Sequence, residues 1–353
     1  MSDPSAAPPG NTAHTVRLEP SGHTFSVDPG ETILEAALRQ GVGLPYGCRN
    51  GACGACKGTL KSGRIEYGEH QDRAIRAEEK AAGKALTCVV KPLTDVVYEL
   101  RELSGAKDLT IRTLPARVEK VEKPAEDVAV LYLKLPAAER LQFLAGQYID
   151  ILMKDGKRRS FSMANAPHDD AFLQLHVRKA PGGTFSKYVF EEMKERAILR
   201  FEGPLGTFYL REDSDKPVIF VAGGTGFAPV KAIVEHMLHN QMDREIVLYW
   251  GARTKSDLYL PEVPVQWQLA HPNFSYIPVL SDPKPEDAWA GRTGFVHQAV
   301  LDDFPSLAGY QVYACGAPAM TDIARETFVA QKQLPDDEFF CDAFTYSVDP
   351  KKT

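Results

Sequence analysis

The 353-residue sequence has no apolar run near the ~20 residues that a membrane-spanning helix requires. Its start, Met1 to His14, is polar with several Pro and Ala, and lacks the basic-then-apolar order of a secretory signal. It also lacks an excess of positive charge: 41 Lys and Arg face 47 Asp and Glu, a formal net charge of −6. That balance argues against a nucleic-acid partner, because neutralising phosphates needs a basic surface. Low-complexity tracts and internal repeats are missing too. With 44% hydrophobic and 25% charged residues, the chain is not an extended disordered one. What is left is a globular protein expected in the cytoplasm, without membrane insertion. At ~150 residues per domain its length implies two or three domains.

Cysteine is scarce as well. Six in a chain this long are too dilute for a secreted disulfide scaffold. Yet three of them fall within nine residues. The spacing is Cys48-x4-Cys53-x2-Cys56, with Cys88 following after 31 residues. This is the ligand pattern of a [2Fe–2S] centre of plant type. Zinc is the rival, since it also accepts four thiolates, but zinc knuckles use two C-x2-C pairs and one is present here. The loop Cys48-Arg49-Asn50-Gly51-Ala52-Cys53-Gly54-Ala55-Cys56 is built of small residues that let backbone wrap an inorganic core. Its N–H groups can then point at the sulfurs and tune the potential. With these features residues 14–103 resemble a plant-type ferredoxin domain. The resemblance includes strands His14–Leu18 and Thr24–Val27, a helix Thr32–Gln40, and Gly43-Leu44-Pro45-Tyr46-Gly47 before the first ligand.

Residues 1–13 read as a tail, and Ser104-Gly105-Ala106-Lys107-Asp108 as a linker. Between Ile111 and Leu210 the pattern is short alternating strands: Ala116–Val121, Val128–Leu135, Tyr148–Met153, Arg159–Met163 and Phe172–Val177, with a helix at Thr184–Glu192. That predicts an antiparallel barrel. From Pro217 strands and helices alternate. Val218–Ala222, Ile246–Trp250, Phe274–Val279, Gln311–Ala314 and Glu338–Cys341 are the expected strands. Ala228–Asn240, Gly294–Leu301 and Pro318–Gln331 are the expected helical stretches. This predicts a doubly wound parallel α/β domain. The expected fold is therefore multidomain, α+β and α/β: a ferredoxin (β-grasp) domain at 14–105, a β-barrel domain at 110–212 and an α/β domain at 213–353.

Arg159-Ser160-Phe161-Ser162 lies on an expected barrel strand. Arg159 can present a bidentate cation to a pyrophosphate. Phe161 can stack on an aromatic ring. Ser162 can hydrogen-bond a heteroatom at the edge of that ring. Alone, so short a run is better read as a surface strand. It is followed by His176-Val177-Arg178 and by Gly182-Gly183-Thr184-Phe185-Ser186, where helix-start amides could cradle phosphate. Gly182-Gly183 could equally be an ordinary turn, and Arg178 a solvated edge charge. Gly146-Gln147-Tyr148 and Gly203-Pro204-Leu205-Gly206 complete the set. In order, these stretches resemble the flavin motifs of the ferredoxin–NADP reductase superfamily. The resemblance implies FAD rather than FMN, because the cluster domain comes first.

Gly223-Gly224-Thr225-Gly226-Phe227-Ala228-Pro229 joins the first α/β strand to its helix. Glycines there admit a phosphate, and Pro229 suits a first helical turn. The run resembles the G-G-T-G-x-x-P loop of the same superfamily, and Cys315-Gly316-Ala317-Pro318 its C-G-x-P element. That resemblance puts Cys315 beside the nicotinamide, with Gly316 and Pro318 shaping the contact. The bland alternative for Cys315 is a buried thiol. Cys341 reads as a core residue. Asp342 and Phe344 stand where related reductases carry an E-x-[FY] segment: Asp342 to support charge near the flavin, Phe344 to cover its ring. Arg253 could meet a 2′-phosphate and Asp257 a ribose, and NADH is preferred with NADPH possible.

The resemblance spans about residues 14–345 and covers the reductase components of bacterial oxygenases and the CDP-6-deoxy-Δ3,4-glucoseen reductases. It implies an iron–sulfur flavoprotein oxidoreductase. Hydride from NADH passes to FAD, then single electrons pass through [2Fe–2S] to an acceptor protein. The expected acceptor is an oxygenase or hydroxylase component, or alternatively a pyridoxamine-phosphate-dependent dehydratase. Two other readings remain: a stand-alone flavin or ferric reductase, and a non-catalytic iron–sulfur sensor, which the flavin motifs count against.

Overall fold

A computed structural model describes residues 12–103 and 109–345. The tail reading for residues 1–11 and the linker reading for Ser104–Asp108 lie outside the described residues. Contacts divide the chain into two compact units, residues 1–108 and 109–353.

The first unit begins with the hairpin β1 (His14–Glu19) and β2 (Thr24–Val27). Along β1, Val16 and Leu18 are buried while Thr15 and Arg17 are exposed, the period-2 pattern of a strand with one wet face. Helix α1 (Ile33–Arg39) starts at a reciprocal capping box, Thr32 with Glu35, and its cap residue at the far end is Gln40. It buries Ile33, Leu34, Ala36 and Ala37 in the same core as Val16, Leu18 and Tyr98. Next come β3 (Lys57–Ser62), β4 (Ile65–Tyr67), α2 (Ala77–Ala81), β5 (Lys84–Leu86), β6 (Val90–Pro92) and β7 (Val96–Glu99). The main sheet runs β2-β1-β7-β3-β5, with β1 and β7 parallel, and β4 pairs with β6. One long loop between α1 and β3 carries Cys48, Cys53 and Cys56, whereas Cys88 sits between β5 and β6.

The second unit holds two six-stranded sheets. The first is antiparallel: β8 (Arg112–Ala125), β9 (Val128–Lys134), β10 (Tyr148–Leu152), β11 (Arg158–Ser162), β12 (Leu173–Arg178) and β13 (Ile198–Leu205). Its order is β11-β10-β13-β8-β9-β12, and a bridge between Met163 and Leu175 joins its two edges into a barrel. Val118, Leu131, Ile149, Leu175 and Phe201 fill the barrel's core. The expected strands agree to within a few residues. β13 is additional: the Gly203-Pro204-Leu205-Gly206 motif is its end, and Ile198 and Arg200 are exposed on its wet face. Helix α3 (Thr184–Glu191) crosses between β12 and β13.

The second sheet is all parallel, in the order β17-β16-β15-β14-β18-β19. Its elements are β14 (Val218–Gly223), α4 (Phe227–His239), β15 (Ile246–Ala252), α5 (Glu262–Ala270), β16 (Phe274–Leu280), β17 (Arg292–Thr293), α6 (Val296–Asp303), β18 (Gln311–Gly316), α7 (Pro318–Lys332) and β19 (Phe339–Ala343). Helix α5 was not expected, and the reason is physical: Pro264 is its one buried residue, so no apolar stripe marks it. The strand order reverses between β14 and β18, which opens a crevice at their carboxyl ends. Val128, Ala145 and Phe208 of the barrel share a core with Phe227, Ile233 and Tyr313 of the α/β part. Among the described residues no helix is long and apolar enough to cross a membrane.

Candidate functional site

In the first unit the cysteine loop turns at Gly51 (φ +72°) and Gly54 (φ +79°). A side chain at Gly51 would meet the Glu69 carbonyl at 2.8 Å, so the loop lies flat against the segment that follows β4. Ala52 N–H donates to Cys48 Sγ at 3.3 Å, and Cys48 N–H to Cys53 Sγ at 3.4 Å. Cys56 and Cys88 bring their sulfurs to 3.2 Å. The four thiols thus form two pairs. The Cys53 thiol and backbone N–H groups draw the Cys48 thiol down to about 6. Cys53 and Cys56 are held well above the usual thiol range by their partner thiols, by burial and by neighbouring charge. Four bare thiolates would repel here, and a cationic core would relieve that conflict. Among the described residues no three or more His, Cys, Asp or Glu are arranged around a single ion. Two thiol pairs fit a two-iron core better than one tetrahedral zinc.

In the second unit the barrel strand β11 presents Arg159, Phe161 and Ser162 in succession. Arg159 is half-buried, with Nη1 donating to the Arg158 carbonyl at 2.9 Å. Phe161 packs on Phe185 of α3, ring centroids 5.1 Å apart. Ser162 is buried, and its hydroxyl donates to Asp342 Oδ2 at 3.3 Å. The Gln147 amide donates to the Gly206 carbonyl at 3.1 Å, tying the two glycine motifs of the barrel together. Val177 belongs to the barrel core, and the adjacent His176, also buried, points to the opposite face of β12. His176 Nδ1 lies 2.7 Å from the Tyr259 hydroxyl, and burial drags this imidazole down to about 3. Its Nε2 has no hydrogen-bond partner among the described residues. Arg178 pairs with Asp127 at 3.0 Å and with Asp257 at 3.6 Å.

Gly182 (φ +71°) and the N-cap Gly183 lead into α3, whose first residue, Thr184, is exposed. Ser186 accepts from Ala180 N–H at 3.1 Å and donates to the Gly183 carbonyl at 3.2 Å. Its hydroxyl therefore shapes this loop. Among the described residues no side chain caps α3 and no acidic residue occupies its first turn. The leading amides remain open to an anion such as a pyrophosphate.

The glycine loop Gly223-Gly224-Thr225-Gly226 meets the end of β18 backbone to backbone. A side chain on Gly226 would lie 2.0 Å from the Cys315 carbonyl, and one on Gly316 2.9 Å from the Gly223 carbonyl. A side chain on Gly224 would strike the Arg178 guanidinium at 2.7 Å. Pro229 falls in the first turn of α4, and Pro318 opens α7. Cys315 is fully buried, and burial pushes its thiol well up. It pairs in register with Asp342 of β19. Phe344 N–H donates to the Gly316 carbonyl at 2.8 Å. Arg253 is exposed and pairs with Asp282 at 3.5 Å. Asp257 accepts from Thr254 N–H at 2.9 Å, so it closes its own turn as well as pairing with Arg178. Ser162, Cys315, Asp342, Phe344 and the glycine loop thus converge at the switch point of the parallel sheet.

Two residues of this assembly escaped the sequence reading. Trp250, fully buried, donates from Nε1 to the Gly224 carbonyl at 3.0 Å and stacks on Phe227 with centroids 4.0 Å apart. Tyr259 holds His176. Neither belongs to a glycine or cysteine motif, and a buried aromatic reads as core.

Three family models match the chain: the 2Fe-2S iron-sulfur cluster binding domain over residues 16–93, the oxidoreductase FAD-binding domain over 115–209, and the oxidoreductase NAD-binding domain over 220–326. The chain is 42% identical to the CDP-6-deoxy-L-threo-D-glycero-4-hexulose-3-dehydrase reductase of Yersinia pseudotuberculosis, over 94% of this chain and 98% of that protein. It is 37% identical to reductase component 2 of the terephthalate 1,2-dioxygenase of a Comamonas species, over 94% and 97%. The crystal structure of an Amycolatopsis cytochrome P450 reductase is similar with a TM-score of 0.77 and 35% identity, over 94% of this chain and 99% of that one.

Proposed function

Because the chain belongs to the ferredoxin-fused FAD/NAD(P)H reductases of the ferredoxin–NADP reductase superfamily, we propose that it is the cytoplasmic reductase component of an oxygenase or hydroxylase system. FAD and [2Fe–2S], when bound, turn a two-electron hydride into single electrons. The observation that carries the reading is the Ser162–Asp342 hydrogen bond, which ties the barrel to the edge of the nucleotide-binding sheet where Cys315 lies.

In this reading Cys48, Cys53, Cys56 and Cys88 hold the iron. Arg159 and the amides of Gly182, Gly183 and Thr184 hold the flavin pyrophosphate, with Ser186 setting their loop and His176, Val177 and Arg178 lining its approach. Phe161 would contact the isoalloxazine. Ser162 would turn its single O–H from Asp342 to the ring edge that takes up hydride. Phe344 would cover the ring. Gly223, Gly224, Thr225, Gly226 and Pro229 admit the dinucleotide phosphates, and Cys315, Gly316 and Pro318 bound the nicotinamide. Arg253 and Asp257 face its adenosine end, with NADH preferred. The domains accompanying these roles are 14–105, 110–212 and 213–353.

A second acceptor, a pyridoxamine-phosphate-dependent dehydratase, is favoured by the 42% identity to a hexulose-3-dehydrase reductase along almost the whole chain. The test is capture of partners on the tagged, cluster-loaded protein under anaerobic NADH, followed by reconstitution with the purified partner. NADH-driven hydroxylation would establish the first acceptor. NADH-driven deoxygenation of a nucleotide sugar would replace it with the second. Undiminished reduction of free flavin or ferric iron after deletion of residues 1–105, with no partner retained, would overturn both.

A further inference from the structure

The cysteine loop is gripped from outside by residues that follow β4. Gln71 N–H donates to the Gly51 carbonyl at 3.0 Å, and Arg73 Nη1 donates to the Ala52 carbonyl at 3.0 Å. A side chain on Gly54 would lie 3.0 Å from the Ala74 carbonyl, so the two strips of backbone are in close contact. Each gripped carbonyl belongs to a peptide group whose N–H faces one sulfur. The N–H of Ala52, across the peptide from the Gly51 carbonyl, donates to Cys48 Sγ at 3.3 Å. The N–H of Cys53, across the peptide from the Ala52 carbonyl, is among the backbone N–H groups that pull the Cys48 thiol down. A donor on a carbonyl polarises the peptide and strengthens its N–H as a donor in turn. On the first peptide that donor is a neutral amide. On the second it is a half-buried guanidinium, which stays charged and is only partly screened by solvent.

We propose that Arg73 is a positioning residue that raises the reduction potential of the cluster by polarising the Ala52–Cys53 peptide toward Cys48. The inference rests on Cys48 being an iron ligand, as in the proposed function. An added electron increases the negative charge on the thiolate sulfurs. N–H dipoles aimed at those sulfurs stabilise the reduced form more than the oxidised one. The cation behind the second dipole adds to the effect, so the potential moves up and the cluster accepts an electron from the flavin more readily.

The test is an anaerobic redox titration of the full-length holoprotein, monitored by the EPR signal of the reduced cluster, with iron and labile sulfide measured on each sample. Arg73→Gln keeps a donor for the Ala52 carbonyl and removes the charge. Arg73→Lys keeps the charge on a different stem. The expected result is a midpoint in Arg73→Gln clearly below that of the unsubstituted protein, most of it restored in Arg73→Lys. NADH reduction of the flavin, which is bound in the other unit, should be unchanged. An unchanged midpoint in fully loaded Arg73→Gln overturns the proposal, as do equal shifts in both variants. Loss of iron in either variant would make Arg73 a clamp for loop assembly and overturn it too. If the unsubstituted protein has no NADH-reducible EPR signal, it is the reductase reading that fails.

Discussion

The cysteine loop and the flavin–nicotinamide junction are built on opposite principles. In the loop, three proposed ligands fall within nine residues, and the amides that face their sulfurs are four or five positions away. Its shape is set locally, by two glycines with positive φ and a strip of backbone laid against them. At the junction, Ser162 reaches a partner 180 residues away, and His176 one 83 residues away. Nothing local fixes those distances; the packing of a barrel on a parallel sheet does. A locally built site should respond to substitution all or none, because its parts assemble together. A site assembled from two sheets should respond by degrees, because each contact is one of many supporting the same geometry.

The largest effect separates the two regions outright. Cys88 is the one proposed ligand outside the loop, and it forms a pair with Cys56. Cys88→Ser should abolish the visible absorbance and EPR signal of the cluster. NADH-to-ferricyanide activity, which draws electrons at the flavin, should persist near its original rate. If a folded Cys88→Ser protein loses ferricyanide reduction, the two sites are not modular and the comparison breaks.

A smaller, graded effect is expected at Ser162. Its hydroxyl bonds a carboxylate now, and a charge-assisted hydrogen bond contributes about 1.5–3 kcal/mol. Spent on the transition state for hydride arrival, that is about a 10- to 100-fold change in rate. Ser162→Ala should slow flavin reduction in a stopped-flow trace to that extent while FAD content stays constant. Asp342→Asn, which still offers the serine an acceptor, should slow it less. Equal rates in Ser162→Ala and the unsubstituted protein would remove Ser162 from the chemistry.

The same contrast decides what could be read from the sequence. The cluster was legible from spacing because thiolate chemistry demands one residue type at fixed intervals. Ten of the twelve strands of the two large sheets were legible from periodicity, to within a few residues; the two-residue β17 was too short to show a period. β13 was hidden behind a glycine–proline motif, and α5 behind a helix that buries only Pro264. The junction was legible only where glycines, Arg159 or Cys315 sat in recognisable runs. Arg178 needed the structure, since its two carboxylate partners come from the turn between β8 and β9 and from a 3-10 turn after β15, both far along the chain. Asp257 turned out to close a turn while pairing with that arginine. Ser186 turned out to shape the loop it belongs to. Trp250 and Tyr259 carried no signal, because a tryptophan inside an apolar strand looks the same whether or not its N–H is employed.

Trp250 therefore offers the finest test of the comparison. Its ring is fully buried and stacked on Phe227, and its Nε1 bonds the Gly224 carbonyl in the glycine loop. Trp250→Phe keeps an aromatic face for Phe227 and removes that one hydrogen bond. The loss should be about 1 kcal/mol. If the bond holds the loop in the shape that admits the dinucleotide, the loss should appear chiefly as weaker binding, about a fivefold rise in KM for NADH. The rate of flavin reduction at saturating NADH should move little, since Ser162, Asp342 and Cys315 are untouched. A fall in the urea midpoint with KM unchanged would show instead that Trp250 only fills the core. In that case the graded response of the junction belongs to its packing, and the loop keeps its shape from its glycines alone, as the cysteine loop does.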